Sequence, residues 1–189
     1  MKAVLASQNL HKLEELRDAL PDWQIDALDA DSYPEETGET YYDNALLKAR
    51  FGRGLVDPDA WVLGEDSGIE SAALDGAPGL HSARWAPGLD QADALLARLE
   101  GETDRRARMV TELVALSPAG EELRGHGVLE GELATERRGD GGFGYDPIFI
   151  PNGDTRTVAE IGDEWKRQNS HRARAAQALR AAIGDEGAG

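Results

Sequence analysis

Apolar positions recur along the chain in two rhythms. Residues 3–6 form a short continuous run, and Ser7, Gln8 and Asn9 after it carry turn and cap chemistry. Leu10, Leu13, Leu16 and Leu20 then repeat at helical spacing until Pro21, which lacks the N–H a continuing helix needs. The pattern predicts strand, turn and helix over residues 3–20. Residues 23–28 read as a second strand, followed by an acidic loop over 29–38. A helix is predicted from about 40 to 52, with Tyr42, Ala45, Leu46 and Ala49 inward.

Trp61, Val62 and Leu63 predict a central strand, with Gly64-Glu65-Asp66-Ser67-Gly68 at its C-terminal end. Residues 75–88 are rich in Gly and Pro and read as an irregular loop, and 90–99 as an amphipathic helix. Residues 106–116 and 123–133 alternate with period two around Pro118-Ala119-Gly120, the pattern of an antiparallel hairpin. A glycine-rich loop, 139–144, feeds a strand over 148–150. The last helix is predicted from Ser170, as its N-cap, to just before Gly184, with Ala175, Leu179 and Ile183 buried and a disordered tail over 185–189. No repeat or linker divides the chain. These elements predict an α/β fold in a single domain over 1–189.

Composition narrows the function. Apolar residues at 40% of 189 supply a sizeable core. Thirty-six Asp and Glu against 20 Lys and Arg give a net charge of -16, which argues against nucleic acid or an anionic membrane as a partner. It leaves room for a small phosphorylated substrate held by a local cluster of cations. The absence of cysteine excludes disulfides, thiolate metal sites and cysteine nucleophiles. No apolar run approaches the roughly 20 residues that span a bilayer, and the N-terminal apolar stretch is too short for a secretory signal. The expectation is a cytoplasmic, enzyme-sized domain.

Three constellations carry candidate chemistry. Ser7, Gln8, Asn9, Leu10, His11 and Lys12 lie at a strand-to-helix junction, where free N–H groups and the positive end of the helix dipole suit phosphate. The spacing is neither GxxxxGK[ST] nor GxGxxG, and in isolation a merely capped helix with a solvated Lys is the better explanation. Glu35 and Glu36 in the acidic loop, with Glu65 and Asp66 at a strand end, are hard oxygen ligands of the kind Mg²⁺ takes. In a chain this acidic, most such pairs are solvated surface. The third is Gly141-Gly142-Phe143-Gly144-Tyr145-Asp146-Pro147, whose glycines permit close approach and whose aromatics can stack on a base. Lys166, His171 and Arg172 add cations around a helix start, where the dipole does not favour them. The four histidines show no zinc-site spacing.

As an ordered set, these pieces resemble the inosine triphosphate pyrophosphatase family. The resemblance runs from residue 3 to about 183 through Ser7-x-Asn9-x-x-Lys12, Glu35-Glu36-Thr37-Gly38, Asn44-Ala45-x-x-Lys48-Ala49 and Glu65-Asp66-Ser67-Gly68. It continues through Gly76-Ala77-Pro78-Gly79, Ser82-Ala83-Arg84, the Phe143 loop, Lys166 and Ser170-His171-Arg172. It implies a long mixed twisted sheet flanked by helices, in two lobes with a central cleft, and a homodimer. The implied activity is Mg²⁺-dependent hydrolysis, one ion per subunit, of ITP, dITP, XTP and dXTP to monophosphate and pyrophosphate.

The resemblance also implies roles. Residues 7–12 bind the triphosphate, Asp66 is general base and metal ligand, and Ser67 lies beside it at the substrate. Glu35 is the second metal carboxylate, with Glu36 its alternative if the loop is shifted by one. Phe143, Gly144, Tyr145 and Asp146 form the base-stacking loop, and Lys166, His171 and Arg172 embrace base and phosphates. Two positions depart from the family pattern: Gln8 stands where Gly is frequent, and Glu65 where Asp is. The role of Glu65, ligand or support, is left open. A Maf-like pyrophosphatase is the nearest alternative, against which the Phe143 loop and Ser170-His171-Arg172 speak. A nucleotide sensor without turnover is the other, against which intact Asp66 and Glu35 speak.

Overall fold

The computed structural model describes residues 1–186. Six strands form one sheet: β1 (Lys2–Leu5), β2 (Gln24–Ala27), β3 (Trp61–Ser71), β4 (Arg106–Leu116), β5 (Glu122–Leu133) and β6 (Phe149–Pro151), in the order β2-β1-β3-β4-β5-β6. β1 runs parallel to β2 and β3, with Leu5 opposite Ala27 and Leu63, and β6 runs antiparallel to β5. The sheet is mixed. Parallel strands need a crossover, and α1 (Leu10–Ala19) supplies it between β1 and β2. β4 and β5 are neighbours closed by a turn in which the Ser117 N–H donates to the Glu121 carbonyl, too short a link for anything but a hairpin.

The remaining helices are α2 (Tyr41–Arg53), α3 (Gln91–Arg98), α4 (Val158–Ile161), α5 (Asp163–Asn169) and α6 (His171–Glu186). None of them is long and apolar enough to cross a membrane. The chain forms two compact units, and the division falls within β3, β4 and β5. The first holds residues 1–66, 111–127 and 171 onward; the second holds 67–110 and 128–170.

In the first unit, alternation along the strands feeds two cores. Leu5, Leu63 and Leu113 pack with Leu13 and Leu16 of α1 and with Ala175 and Leu179 of α6. Val62 and Val114, one position along their strands, point to the other face and pack with Ala45 and Ala49 of α2. In the second unit, Ile69, Met109, Leu129 and Phe149 pack against Leu95 of α3 and Val158 of α4.

Several boundaries differ from the sequence reading. β3 does not stop at Leu63 but runs on to Ser71, carrying Glu65 and Asp66 inside a buried strand. The two acids persist there because cations meet them, which sequence patterning does not register. Leu10 is exposed, since it opens α1 beside the cap rather than on the packed stripe. Two short helices, α4 and α5, precede α6 and were not expected. Asp185 and Glu186 continue α6 rather than starting the tail, and 187–189 lie outside the described residues.

Candidate active site

The first unit gathers most of the expected chemistry. Asn9 caps α1: its Oδ1 accepts from the His11 N–H at 3.0 Å and the Lys12 N–H at 3.3 Å, while Ser7 Oγ accepts from the Asn9 N–H at 3.2 Å. The turn is therefore held in one conformation by its own side chains, which accept from these three N–H groups. Gln8 points to solvent without strain. Asp75 is the one non-glycine at positive φ among the described residues, so glycine's freedom is not required at position 8. His11 is exposed, whereas Lys12, one turn into α1, reaches inward and places Nζ 2.6 Å from Glu65 Oε2.

α2 rests on β3 at Gly64, where a Cβ would stand 2.0 Å from the Ala45 carbonyl oxygen and 2.6 Å from the Ala49 nitrogen. Only glycine permits that approach. It brings Asn44 and Lys48, four residues apart on one helix face, onto Asp66. Asn44 Nδ2 donates to Asp66 Oδ2 at 3.0 Å. Lys48 Nζ donates to Asp66 Oδ1 and to the Glu65 carbonyl, each at 3.0 Å, and meets Glu36 Oε1 at 2.5 Å. Glu35, the expected metal carboxylate, is exposed and takes no part in this cluster. Its neighbour Glu36 does, because alternate residues of the extended loop face opposite ways.

Arg172 is buried at the start of α6. Its Nε and Nη2 lie 3.1 Å and 3.0 Å from Glu65 Oε1, and its Nη1 donates to Glu15 Oε2. α6 reaches this position because Gly127 of β5 lets its first turn lie flush on the strand: a Cβ there would stand 2.0 Å from the His171 carbonyl. His171 is likewise buried. The guanidinium is thus shared between two carboxylates, a tighter commitment than the resemblance implied.

The charges set the proton affinities. Burial alone would raise the Glu65 pKa, but Lys12 and Arg172 outweigh it and hold the carboxyl well below its usual range. Asp66 goes the other way. Burial pushes it up, and the Glu65 charge adds to that against the opposing pull of Lys48. Lys48 is held above its ordinary value, since Asp66 and Glu36 outweigh its burial. Two adjacent acids are therefore driven in opposite directions, Glu65 down and Asp66 up.

The second unit carries the rest. Ser67 follows Asp66 on β3 and is half-buried. In the loop before β6, Asp146 Oδ2 accepts from the Phe143 N–H at 2.8 Å and from Lys166 Nζ at 2.5 Å. That Nζ also lies 4.2 Å from the centre of the Phe143 ring, within cation–π range. Tyr145 donates its hydroxyl to the Ser82 carbonyl at 2.9 Å. Gly144 sits at φ +60, a conformation that disfavours a side chain.

The sequence reading singled out residues 7–12 and Arg172, and the structure draws Lys12 and Arg172 of that set onto Glu65. Asn44, Lys48 and Glu15 were not assigned roles. Glu15, three residues after Lys12, lies on the same face of α1, and the four-residue spacing of Asn44 and Lys48 was the available sign.

The chain has known relatives in sequence and in fold. The chain is 42% identical to a dITP/XTP pyrophosphatase of Deinococcus deserti, covering 97% of this chain and 90% of that one. It is 49% identical to a protein of the same name from Symbiobacterium thermophilum, over 92% and 90% of the two chains. The structure of the Staphylococcus aureus Ham1 protein superposes with a TM-score of 0.84 at 36% identity, covering 98% of this chain and all of that one. With the Ham1 family model matching residues 3–182, the chain belongs to the Ham1 family.

Proposed function

We propose that this protein hydrolyses purine nucleoside triphosphates bearing deaminated bases, dITP and ITP, XTP and dXTP, to the monophosphate and pyrophosphate. The observation that carries the reading is the separation of Glu65 and Asp66 by three cations, which leaves one buried carboxylate poised as a base. The relatives' names supply the substrate class.

The residues fit Mg²⁺. Glu36 and Asp66, from separate segments, already converge on one positive centre, the Lys48 ammonium. Among the described residues no cluster of three or more acids and histidines could hold an ion by itself. That suits an ion held by one or two carboxylates together with substrate phosphates. When bound, Mg²⁺ supplies charge neutralisation on the phosphate oxygens.

Asp66 accepts the proton of the attacking water as the anhydride between the α and β phosphates breaks, with Asn44 fixing its orientation. The ordered turn over residues 7–12 and the Lys12 ammonium bind the phosphate chain and offset charge on the departing pyrophosphate. Phe143 stacks on the base, and Lys166 holds both that ring and Asp146. Ser67, His171 and Arg172 complete the contacts with substrate, Arg172 while also fixing Glu65 and Glu15. Donors aimed at a 6-oxo group are left facing adenine's 6-amino group, so ATP is rejected. The enzyme is taken to work as a cytoplasmic homodimer, which light scattering at assay concentration tests.

Pyrophosphate release with Mg²⁺ from ITP, XTP, GTP and ATP tests the activity. Inosine and xanthosine triphosphates are expected first, GTP well behind and ATP last. Absence of turnover with any of them, alongside nucleotide binding, would favour a sensor.

A further inference from the structure

Lys48 sits between the carboxylates of the proposed metal site. Its Nζ meets three oxygens from two places in the chain: Glu36 Oε1 at 2.5 Å in the acidic loop, and Asp66 Oδ1 and the Glu65 carbonyl, each at 3.0 Å, on β3. An ammonium has three N–H donors, and three oxygens account for all of them. The side chain is 11% exposed, so this is a seated group and not a solvated one.

We propose that Lys48 is an internal counter-cation, which holds Glu36 and Asp66 together in the unloaded enzyme and leaves them when a divalent ion binds. Binding of the ion is then an exchange of one cation for another. The inference rests on the reading that Asp66 and the acidic loop hold the metal.

Charge and geometry both favour the exchange. Mg²⁺ takes its oxygens at about 2.0–2.1 Å. An ammonium bound to the same carboxylate oxygens would sit close to the ion in a poorly screened site, where like charges repel strongly. The fold lets one leave without disturbing the other. The N-terminus of α2 is pinned by a reciprocal cap, the Asp43 N–H to Thr40 Oγ1 and the Thr40 N–H to Asp43 Oδ2. Its backbone stays against β3 at Gly64 while the flexible four-carbon stem of Lys48 swings. Asp66 keeps its orientation throughout, because Asn44 holds Oδ2 and only Oδ1 changes partner.

The device has a consequence for affinity. Between substrates, the carboxylates would be masked by a cation that costs nothing to recruit, and the ion must displace it. The metal should therefore bind the free enzyme more weakly than the same carboxylates would bind it without Lys48.

The test is Mn²⁺ binding without nucleotide, by electron paramagnetic resonance, to the parent, Lys48→Met and Asp66→Asn. Lys48→Met is expected to bind Mn²⁺ about tenfold more tightly, since one neighbouring charge shifts proton binding at a carboxylate by about one to three decades and acts on a metal cation in the same sense. Asp66→Asn is expected to lose the site. Equal or weaker binding by Lys48→Met, with Asp66→Asn still deficient, would overturn the exchange and leave the metal reading standing. Binding insensitive to Asp66→Asn would overturn both. A second measurement needs no variant: acetylation of the parent by acetic anhydride, read by mass spectrometry. Lys48 labelling should rise severalfold on saturation with Mg²⁺ while exposed Lys2 stays constant; unchanged protection of Lys48 would sink the proposal.

Discussion

Glu65 and Arg172 meet twice inside an almost sealed space, the Nε and Nη2 of the arginine lying 3.1 Å and 3.0 Å from one carboxylate oxygen. Side-chain exposures of 0% and 2% mean that water cannot replace either partner. Glu65→Gln leaves Arg172 and Lys12 facing a neutral amide. Removing one partner of such a pair costs about 3–5 kcal/mol. At about 2–4 °C per kcal/mol for a chain of this length, Tm should fall by roughly 6–20 °C. Exposed Glu14→Gln is the control and should move Tm little. A Glu65→Gln melt as high as the control's would show that the pair does not hold the first unit together.

Gly127 sets where α6 begins. A methyl group there would sit 2.0 Å from the His171 carbonyl and 2.4 Å from the Ala175 nitrogen, both backbone atoms that cannot rotate away. Gly127→Ala should cost about 1–3 kcal/mol. It should also lower kcat by displacing Arg172 and, through it, Glu65. Gly54→Ala, whose Cβ would meet nothing nearer than 3.6 Å, provides the comparison. Full kcat in Gly127→Ala would mean that α6 is not needed at that height.

Much of this arrangement could be read before the structure. The Asn9 cap, the alternation of β5 and the helix at α2 all follow from local rules that tertiary contacts reinforce, whereas β4 is buried on both faces from Met109 onward. α4 was missed although Thr157 and Glu160 form a reciprocal cap, a signal that is faint before so short a helix. The extension of β3 was missed for a different reason. Glu65 and Asp66 are buried only because Lys12, Lys48 and Arg172 come from three other elements to meet them, and no local pattern encodes that. The distinction between Glu35 and Glu36 likewise depends on which way an extended loop faces.

That distinction is open to a direct measurement. Glu36 is the acid that reaches the positive centre at Asp66, while Glu35 is exposed. Glu36→Gln should raise the Mg²⁺ concentration for half-maximal rate by about tenfold or more, as loss of one of two charged ligands does. Glu35→Gln should raise it less than threefold. The reverse order would return the ligand role to Glu35.

Phe143 has Lys166 Nζ 4.2 Å from the centre of its ring. Loss of base–aromatic stacking is worth about 1–3 kcal/mol, so Phe143→Leu should raise KM roughly ten- to hundredfold for ITP with kcat nearly kept. A fall in kcat at constant KM would assign the ring to the reacting end and not to the base.

The two adjacent acids give opposite pH signatures. Asp66 is raised above the ordinary aspartate value of about 3.9, by burial first and by the Glu65 charge beside it. Its ionised form is therefore disfavoured in the folded protein, and the destabilisation it causes disappears as pH falls through its folded pKa. Glu65 is depressed against burial by Lys12 and Arg172. Its stabilisation is complete above the unfolded glutamate value of about 4.3 and is lost as pH falls below it toward the folded pKa. Carbon-13 titration of the metal-free protein should show Asp66 taking its proton at higher pH than an ordinary aspartate, with Glu65 still ionised. In Glu65→Gln the like charge is gone and Lys12 is released, so the Asp66 titration should move to lower pH. The acid limb of the rate profile should follow Asp66, because the base must be unprotonated to accept from water, and added Mg²⁺ should shift that limb further down. An Asp66 that titrates at or below the ordinary value in the metal-free parent would remove the basis for treating it as the base.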